Sequence, residues 1–525
     1  MRLLKISLLF CLIVSVAWAQ TATGFLDARE LQRAAAAVTL AEYPDADDVL
    51  VDDYVLTTYE KDGTSVTWDD WGSKILTEKG KQNNRVMTMY YNASYSKAEF
   101  IFVKIIKADG SVREVDLARQ SQEMIDRSQM GSNIYDPNNK IIQVSLAELE
   151  VGDLIRALTR RTTFKPRVPD SFSDFQTFEY SSPILRYVLE INAPAELPLR
   201  NIILKDEVPG TVVGSKPKTE NGRILYRWEA KNVPQAFPEP AMPPLYTVTQ
   251  RLLVSTFDSW QDISRWYWNI SVPHFDATND MKIKVNELIK GKAGHEEKIR
   301  AIFRFVSQEI RYMGVTLETE APGYEPHDVS ITFANRHGVC RDKAALLTVM
   351  LRLAGLEAFP VLIHAGAKKD PEVPQPFFNH AIVAVLKPDK SYQLMDPTDE
   401  NTRDLLPAYL CNRSYLVARP EGDVLRTSDI IPYNQNLGKI KTSGKITAEG
   451  NLTCISQVVM EGINDNAYRG MLLRRTPDQR QEFFEAVLKG IIPGARLVRF
   501  DILPADLQDT SLPLEFHLSF TAPSV

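Results

Sequence analysis

The stretch that decides the fold is HGVCRDKAALLTVMLRLAGLEAF, residues 337–359. It predicts a helix from Cys340 to Ala354, with an apolar interior suited to burial and Gly355 placed to end it with a positive φ. Cys340 therefore lies at a helix N-terminus, where unpaired N–H groups and the positive end of the dipole favour thiolate over thiol.

Cys340 has three readings: a buried small hydrophobe, half of a disulfide, or a nucleophile. A cysteine nucleophile needs a lowered pKa, a base within hydrogen-bond reach and a group that orients that base. Arg341 and Lys343 add positive charge near the thiol, and Gly338 permits close approach of the backbone just before it.

Two predicted strands that follow the helix carry candidates for the base and for the group that orients it. The stretches HAIVAVL and SYQLMDPT read as strands, and the short linker KPDKS predicts a hairpin between them. His380 begins the first strand and Asp396 ends the second, so antiparallel pairing would place the carboxylate beside the imidazole. Each residue alone is more typical of a structural position, but their order on helix, strand and strand favours a catalytic triad.

The region from Asp47 to Ser271 reads as strands and turns. VLVDDYVLTTY and EFIFVKIIK are rich in β-branched and aromatic residues, and KDGTS, ADGSV and ENGRI carry hairpin signals. Helical periodicity is weak and confined to Leu31–Ala37. An antiparallel β-sandwich, elaborated or doubled, is predicted. The tryptophans near its end are expected to pack in a core or at a domain junction: Trp260, Trp266 and Trp268.

Helical periodicity begins in GHEEKIRAIFRFVSQEIRYMGV, where one stripe is apolar. The stripe consists of Ile299, Ile302, Phe303, Val306 and Ile310. The tail has hairpin signals, one helix in TPDQRQEFFEAVLKGI and a final strand. The predicted fold is multidomain α+β: a β-sandwich over 20–275, a helix-and-antiparallel-sheet domain over 280–420, and a β-rich domain over 437–525 that is expected to be incomplete.

The first residues have the pattern of a secretory signal peptide over 1–19. Arg2 and Lys5 precede an apolar run, and Ala17-Trp18-Ala19 forms a small-x-small cleavage site. An exported protein, periplasmic or secreted, is expected, and no later segment approaches the ~20 apolar residues of a membrane span. The 525 residues predict about three domains. A net charge of −6 without a basic run argues against nucleic acid as a partner.

Removing the signal peptide leaves three cysteines, and an odd number means at least one unpaired thiol. A disulfide between Cys411 and Cys454 and two free thiols are both open. His337 lies near Cys340 and His295 lies in GHEEK, but neither belongs to a zinc motif, so no metal is expected. The sequence has no glycine-rich phosphate loop, and no cofactor is expected.

The motifs between Tyr312 and Thr398 resemble the transglutaminase-like superfamily, whose core is papain-like. They read IRYMGV, GYEPHDVSITFANRHGVCRDKAALLTVMLRLAGLEAFPVLI, FFNHAIVAV and YQLMDPT. Secreted bacterial proteins with an N-terminal β-sandwich domain of unassigned function are similar. The resemblance implies that Cys340 is the nucleophile, His380 the general base and acid, and Asp396 the orienting carboxylate, acting on an amide or ester carbonyl through a thioester acyl-enzyme.

The chain departs from that family pattern at two points. Many relatives carry an acidic residue directly before the cysteine, where this chain has Val339. Animal transglutaminases stabilise the oxyanion with a tryptophan N–H, but Trp268 is the last tryptophan here. The Cys340 backbone N–H would then need a second donor, for which Tyr312 and Tyr324 are candidates.

An exported cysteine hydrolase of peptidase or amidase type is the leading functional hypothesis. Peptides or proteins are the expected substrates, with those of the cell envelope or the extracellular space favoured by export. The predicted mobile loop from Gly366 to Asn379 is expected to contribute to specificity, with Asn379 a candidate substrate contact. Transglutaminase-type transfer to an amine, and a non-catalytic scaffold that binds a peptide or glycan, are the alternatives.

Overall fold

The computed structural model describes residues 24–315 and 323–523, and these divide into two compact units. The first contains the described residues up to Ile263, with Val315, Gly323 and Asp370–Pro376 added from later in the chain. The second contains Ser264–Gly314, Tyr324–Lys369 and the described residues from Phe377 onward. The fold is multidomain α+β, as predicted. The three predicted domain ranges stay a prediction.

The first unit is built mainly of strands. Its helices are α1 (Ala28–Ala37), α2 (Glu78–Asn84) and α3 (Leu117–Gln120), and α4 (Trp260–Ser271) begins at its end. Its strands are β1 (Asp48–Tyr59), β2 (Ser65–Ile75), β3 (Val86–Asn92), β4 (Ser96–Ile106), β5 (Val112–Glu114), β6 (Ser121–Ile125), β7 (Ile134–Tyr135), β8 (Asn139–Ser145), β9 (Leu154–Thr163), β10 (Ser173–Thr177), β11 (Ile184–Pro194), β12 (Asn201–Lys205), β13 (Val212–Gly214), β14 (Lys218–Glu220), β15 (Arg223–Val233) and β16 (Arg251–Ser255).

A nine-stranded sheet forms the body of the first unit, in the order β13-β15-β11-β1-β2-β9-β4-β5 with β14 beside β15. β1 and β11 run parallel, with Val55 opposite Leu189, while the other ladders of this sheet are antiparallel. The predicted sheet was antiparallel throughout. Hairpin signals report only neighbouring strands, whereas β1 and β11 lie far apart in sequence, so the parallel pair left no local mark.

Two three-stranded sheets share hydrophobic cores with the large one. The sheet β10-β16-β12 packs with β1, β11 and β15 through residues such as Tyr187, Leu189 and Leu252. The sheet β3-β8-β6 packs with β4 and β9 through Val144 and Ile155. The alternating burial along β1 follows from this layering, since successive side chains of a strand point to opposite faces.

The second unit combines helices with two sheets. Its helices after α4 are α5 (Asn279–Ile289), α6 (His295–Arg304), α7 (Val329–Asn335), α8 (Cys340–Leu353), α9 (Ile463–Leu473) and α10 (Pro477–Ile491). Its strands are β17 (Arg311–Tyr312), β18 (Gly314–Val315, whose last residue belongs to the first unit), β19 (His337–Gly338), β20 (Ala358–Ile363), β21 (His380–Leu386), β22 (Tyr392–Met395), β23 (Ser414–Val417), β24 (Arg426–Thr427), β25 (Gly438–Ile446), β26 (Leu452–Met460), β27 (Arg496–Leu503) and β28 (Leu514–Ala522).

The central helix α8 lies against a five-stranded antiparallel sheet in the order β22-β21-β20-β23-β24. The predicted strands and the β21–β22 hairpin are confirmed. The helix ends as predicted, because Gly355 has a φ of +83° and its N–H bonds the Arg352 carbonyl. The predicted apolar stripe of α6, which continues as a π-helical turn over Phe305–Glu309, is buried against α8.

A four-stranded antiparallel sheet, β25-β26-β28-β27, ends the described chain and is accompanied by two helices. The predicted helix is α10. The second helix, α9, escaped prediction because its sequence INDNAYRGMLL contains Asn, Asp and Gly, which are weak helix formers. Tertiary packing supplies what propensity lacks: Leu472 is fully buried in the core of this sheet.

In the part of the chain that the structure describes, no helix is long and apolar enough to cross a membrane. The predicted signal peptide lies outside the described residues. Cys411 and Cys454, whose pairing the sequence left open, are both free thiols, as is Cys340.

Candidate active site

Cys340 is the first residue of α8, and the approach to it depends on Gly338. A Cβ at residue 338 would lie 2.7 Å from the Cβ of Asp342 and 3.2 Å from Cγ2 of Thr332. Only glycine fits this approach without displacing its neighbours. Val339, at the N-cap, has no polar side chain, and Asp342 in the first turn accepts its backbone N–H over 2.9 Å instead.

Asp342 ties the start of α8 to the chain before α7. Its Oδ1 accepts the backbone N–H of His327 over 3.0 Å and lies 3.1 Å from Nδ1 of the same residue. Burial alone would raise the pKa of Asp342, but the hydrogen bond with His327 and the charge of Arg341 hold it below its usual value. The start of the helix is thus fixed by an ionised, buried carboxylate.

The hairpin of β21 and β22 brings His380 beside Asp396. His380 begins β21, and Asp396 follows directly after β22, whose Met395 is opposite Val383. The imidazole Nε2 lies 2.9 Å from Oδ2 of Asp396. Because Nε2 is engaged by this carboxylate, Nδ1 is the ring nitrogen left for another partner.

Asp396 is fully buried and surrounded by donors. Its Oδ1 accepts the backbone N–H of Thr398 over 2.9 Å and the hydroxyl of that residue over 2.7 Å. The hydroxyl of Tyr409 lies 3.2 Å from Oδ2. Burial raises the pKa of Asp396, but His380 and these hydrogen bonds outweigh it and keep the pKa below its usual value.

The thiol of Cys340 and the imidazole of His380 are near enough for each to shift the pKa of the other. Burial would raise the pKa of the thiol, but the histidine, Arg341 and the backbone N–H of Ala381 together lower it. Burial would lower the pKa of His380, but the charge and hydrogen bond of Asp396, with the interaction with Cys340, raise it. The two shifts favour the thiolate–imidazolium pair over the neutral pair.

Tyr312 is held beside this pair by its own backbone. β17 pairs in parallel with β19, placing Tyr312 opposite Gly338, and Glu400 accepts the Tyr312 N–H over 3.0 Å. The phenol lies near enough to Cys340 for the two groups to interact. Burial and the charges of Cys340 and Asp396 raise the pKa of Tyr312, so the hydroxyl keeps its proton and can act as a donor.

The other predicted contact residues have structural partners. The hydroxyl of Tyr324 donates to the Phe378 carbonyl over 3.0 Å, which engages its one proton. Oδ1 of Asn379 accepts the backbone N–H of Ala365 over 2.8 Å. Their predicted roles in oxyanion or substrate binding stay predictions.

Lys343, predicted to add charge near the thiol, is turned into the core. Its side chain is fully buried, and its ammonium group donates to the carbonyls of Ser307 and Ile310. Burial lowers its pKa to about 8. Three residues apart on a helix leave only about 60° between the two side chains, so the inward turn of Lys343 comes from the apolar neighbourhood of α8, which draws its stem inward. Lys343 therefore anchors the helix to the π-helical turn after α6.

The loop from Gly366 to Asn379, predicted to be mobile, is anchored along part of its length. Val373 and Gln375 are buried, and the amide of Gln375 donates to the carbonyls of Asp174 and Val254 over 2.7 and 3.1 Å. The polar, proline-rich composition of the loop suggested mobility. The hydrogen bonds of the Gln375 side chain instead hold this part of the loop against strands β10 and β16. The specificity role of this loop stays a prediction.

The predicted packing of the tryptophans is confirmed. Trp260 is buried and donates to the Pro371 carbonyl over 2.7 Å, and Trp268 lies against Phe359 with ring centroids 5.9 Å apart. Trp266 meets the ring of Tyr324 edge-on at 5.3 Å. Trp266 and Trp268 thus belong to the unit that carries Cys340, although the predicted domain began after them.

Sequence reasoning missed several residues around the pair. Thr398 carries a local signal, since Asp-x-Thr forms a side-chain-to-backbone turn. No local sequence signal marks Glu400, Tyr409 or Tyr267, because only the tertiary structure brings them near the pair. Tyr267 is buried, and its pKa is raised by burial and by the charge of Cys340. Among residues 24–315 and 323–523, no group of three or more His, Cys, Asp or Glu side chains is arranged to hold a metal ion.

Two regions of the chain match known families. Residues 283–397 match the transglutaminase-like superfamily, and residues 61–237 match a domain of unknown function, DUF3857. No curated protein matches the sequence.

One solved structure has a similar fold. A candidate protease from Parabacteroides distasonis is 13% identical, and the match covers 91% of this chain and 93% of that one with a TM-score of 0.58. A candidate cysteine protease from Cytophaga hutchinsonii is 11% identical over 61% of this chain and 80% of its own, with a TM-score of 0.20. At 13% identity, the first match supports a shared fold and does not support a shared activity.

Proposed function

We propose that this chain, a member of the transglutaminase-like superfamily, is an exported cysteine hydrolase that cleaves peptide or side-chain amide bonds. A general cysteine-hydrolase-like function is supported by the superfamily and by the candidate proteases among its structural neighbours. The observation that carries the finer proposal is the 2.9 Å contact between His380 and Asp396, together with the interaction of His380 with the Cys340 thiol that lowers the pKa of the thiol.

In the proposed reaction, the Cys340 thiolate attacks the carbonyl carbon of the amide. The C–N bond then breaks as His380 gives its proton to the departing amine, and a thioester remains on Cys340. His380, now neutral, takes a proton from a water that attacks the thioester, and the acid is released with the thiolate restored. Asp396 stays ionised throughout and holds the imidazole in the tautomer that faces the sulfur.

The negative oxygen that forms at the carbonyl needs donors. The Cys340 backbone N–H is available as the first N–H of α8, with the positive end of the helix dipole behind it. The protonated Tyr312 phenol is the second donor in this proposal, since it already reaches Cys340. Losing one such donor typically costs about 10²-fold or more in rate.

Export rests on the pattern of residues 1–19, and it makes peptides of the cell envelope or extracellular proteins the proposed substrates. A periplasmic or secreted location follows from the same pattern. Cleavage of the chain after Ala19 during export, read by N-terminal sequencing of the mature protein, tests this part of the proposal.

The first experiment measures the rate of iodoacetamide alkylation at Cys340 against pH, in wild type and in His380→Ala. In wild type the rate should reach its plateau well below pH 8.5, because His380 stabilises the thiolate. In the variant the apparent pKa should rise to about 8.5 or above, since burial of the thiol remains without its cation.

Cys411 is a built-in control for this experiment. Its thiol is partly buried, and that burial raises its pKa, so near pH 6.5 it should react at least tenfold more slowly than Cys340. Mass spectrometry of the labelled peptides separates the two sites. Equal rates at both cysteines, or an unchanged pH profile in His380→Ala, would contradict the triad.

A second experiment separates hydrolysis from transfer to an amine. The protein is incubated with a glutamine-containing protein and a labelled primary amine. Hydrolysis predicts new peptide termini or released ammonia without incorporation of label, and Cys340→Ala should abolish either product. Incorporation of label that depends on Cys340 would replace the hydrolase with a transglutaminase-type enzyme.

A further inference from the structure

The first unit contains a cavity of about 360 Å³ that the proposed hydrolase reaction does not use. It lies at one end of the space between the sheet β3-β8-β6 and the large sheet. Its size is at the lower end of the range for small-molecule pockets, about 300–1,000 Å³. The residues that matter for the argument are Tyr90, Tyr91, Tyr95, Lys140, Arg161 and Arg167.

The strands explain why this end of the space is polar. Farther along them, Met89 of β3 and Ala157 of β9 pack in the apolar core between the sheets. Side chains alternate between faces, so Tyr91 and Arg161 share the inner faces with Met89 and Ala157. Lys140 of β8 is opposite Tyr91. Along the length of these strands, the space between the two sheets thus changes from an apolar core to a recess lined by cationic and aromatic side chains.

Arg161 is the central observation. It forms no ion pair or side-chain hydrogen bond with any residue in the described ranges 24–315 and 323–523. Arg161 stays exposed to solvent at the recess, where partial desolvation lowers its pKa, and no carboxylate among the described residues pairs with it. An unpaired guanidinium in the lining of a recess can bind a carboxylate through a bidentate, charge-assisted pair.

The neighbouring charges do not compensate for it. Asp126 is the carboxylate of the lining, and its Oδ1 is engaged by the backbone N–H and the hydroxyl of Ser128 over 2.9 and 2.7 Å. Glu123 accepts the Tyr91 hydroxyl and lies 3.9 Å from the Lys140 ammonium. Arg167 stacks on the Tyr95 ring, 4.9 Å from its centroid. The recess therefore carries excess positive charge that an anion would balance.

Three tyrosines restrict the shape of that anion. Tyr90 is 59% exposed at the rim, and Tyr91 and Tyr95 form part of the wall. Tyrosine offers an apolar ring face together with a hydroxyl, which suits a ligand having an apolar face and several hydroxyl groups. A sugar ring has both. An extended peptide would be recognised mainly through the backbone of an edge strand, whereas this lining is formed by side chains.

We propose that this recess binds an acidic saccharide, with the sugar carboxylate held by Arg161 and Lys140 and the ring placed against the tyrosines. The site is separate from Cys340 and does not depend on the proposed reaction. It would give the first unit a recognition role of its own, selecting carboxylate-bearing glycans.

The test titrates the full-length protein with glucuronic acid and, as its neutral match, glucose, following binding by saturation-transfer NMR and calorimetry. Glucuronic acid should bind at least tenfold more tightly than glucose. Arg161→Gln should weaken glucuronic acid binding about tenfold or more, and Lys140→Gln by a smaller factor. Arg113→Gln, which removes an exposed cation of the same unit, should leave binding unchanged.

Four outcomes would overturn the proposal. Equal binding of glucose and glucuronic acid would exclude a carboxylate site, as would unchanged binding in a folded Arg161→Gln protein. Acetate that competes as well as glucuronic acid would show that the recess holds an anion without reading the sugar. Tighter binding of an acidic peptide than of any acidic sugar would assign the recess to peptides. Thermal unfolding of each variant shows that it is folded.

Discussion

Buried carboxyl groups behave in opposite ways in the two units. In the second unit, fully buried Asp396 faces His380 and its pKa is lowered. In the first unit, Asp53 of β1 is also buried, but its neighbour is Asp69 of β2, and burial together with that like charge raises its pKa well above the usual value. The partner, and not the burial, decides the direction of the shift.

Asp53 and Asp69 are neighbouring carboxyl groups whose pKa values are both raised. Asp53 is opposite Trp71 and Asp69 is opposite Val55, so the two carboxyl groups are diagonal neighbours on one face of the sheet. Oδ1 of each is buried and has no hydrogen-bond donor among the described residues. Two acceptors in contact are satisfied only when one is protonated, as in a carboxyl–carboxylate dyad. The site thus stores a proton where the Cys340 site stores an ion pair.

The strongest test of this comparison replaces Asp396 with asparagine. A neutral amide cannot stabilise the imidazolium, so the buried His380 should lose its proton and the Cys340 thiolate its cation. Alkylation of Cys340 at pH 6.5 should fall about a hundredfold, towards the rate of an ordinary thiol.

Asp399→Asn is the matched control for this variant. Asp399 also lies in an acidic setting and is partly buried, but its partners are Asn401 and Asn466. Its replacement should change the rate less than about threefold. Similar losses in both variants would mean that the general negative field, and not the contact with His380, supports the thiolate.

The second test replaces Asp69 with asparagine. Burial raises the pKa of Asp69 to about 6 from an unfolded value near 3.8, so its stabilising contribution is complete below about pH 4 and is lost as pH rises through about 6. Asp53, whose pKa is also raised, extends that loss to higher pH. The variant should unfold at higher urea concentration than wild type at pH 8, by about 1–2 kcal/mol, with little difference at pH 4.

Urea unfolding of Asp62→Asn at the same two pH values is the control. Asp62 is an exposed carboxylate whose pKa is lowered by hydrogen bonds with Thr64, so its loss should not stabilise the protein at pH 8. If Asp69→Asn is less stable than wild type at pH 8, the two carboxyl groups do not form a repelling pair.

A third buried carboxylate sharpens the comparison. Asp342 has a lowered pKa because His327 and Arg341 face it, and it also bonds the Val339 N–H. Asp342→Ala should destabilise the protein by about 1–2 kcal/mol, the usual cost of losing a helix cap. Asp342→Asn, which keeps an accepting oxygen, should cost less in the same unfolding measurement. Equal costs would assign the effect to lost charge and not to the cap.

The smallest expected effect is that of Thr398→Val. It removes the hydroxyl that donates to Oδ1 of Asp396 but leaves the backbone N–H donor in place. The alkylation rate of Cys340 at pH 6.5 should fall about two- to threefold, because one of several hydrogen bonds to the carboxylate is lost. Thr398→Ser should restore the wild-type rate, and a failure to do so would attribute the loss to packing.

The sequence predicted the contacts that local patterns encode. A helix start at Cys340 and a hairpin that joins His380 to Asp396 are both short-range features, and together they bring the three residues within reach. The Asp53–Asp69 pair also lies in a hairpin, but alternating hydrophobic residues in β1 and β2 did not reveal that the acid-bearing face is covered. Which face of a sheet is buried depends on what packs on it, which is a tertiary property.

Contacts between residues that are far apart in the chain could not be predicted from the sequence. The approach of Tyr312 to Cys340 needs the pairing of β17 with β19, two strands of two residues each, which are too short to leave a pattern. The inward turn of Lys343 reverses its expected role for a similar reason, since an isolated lysine reads as a surface charge. Tyr409 reaches Asp396 from a short 3₁₀ turn with no periodicity.

The parallel pairing of β1 with β11 has a consequence for the order in which the protein can be built. Leu50 pairs with Ile184, and Thr58 pairs with Asn192. This edge of β1 therefore stays unpaired until β11 has been synthesised. A nascent chain that has emerged only as far as β9 can form its hairpins but must leave the β1 edge unpaired. Such edges invite pairing with other chains. The first unit therefore passes through a stage of synthesis in which this edge is exposed, and its assembly is slowed because the closing contact is so distant in sequence.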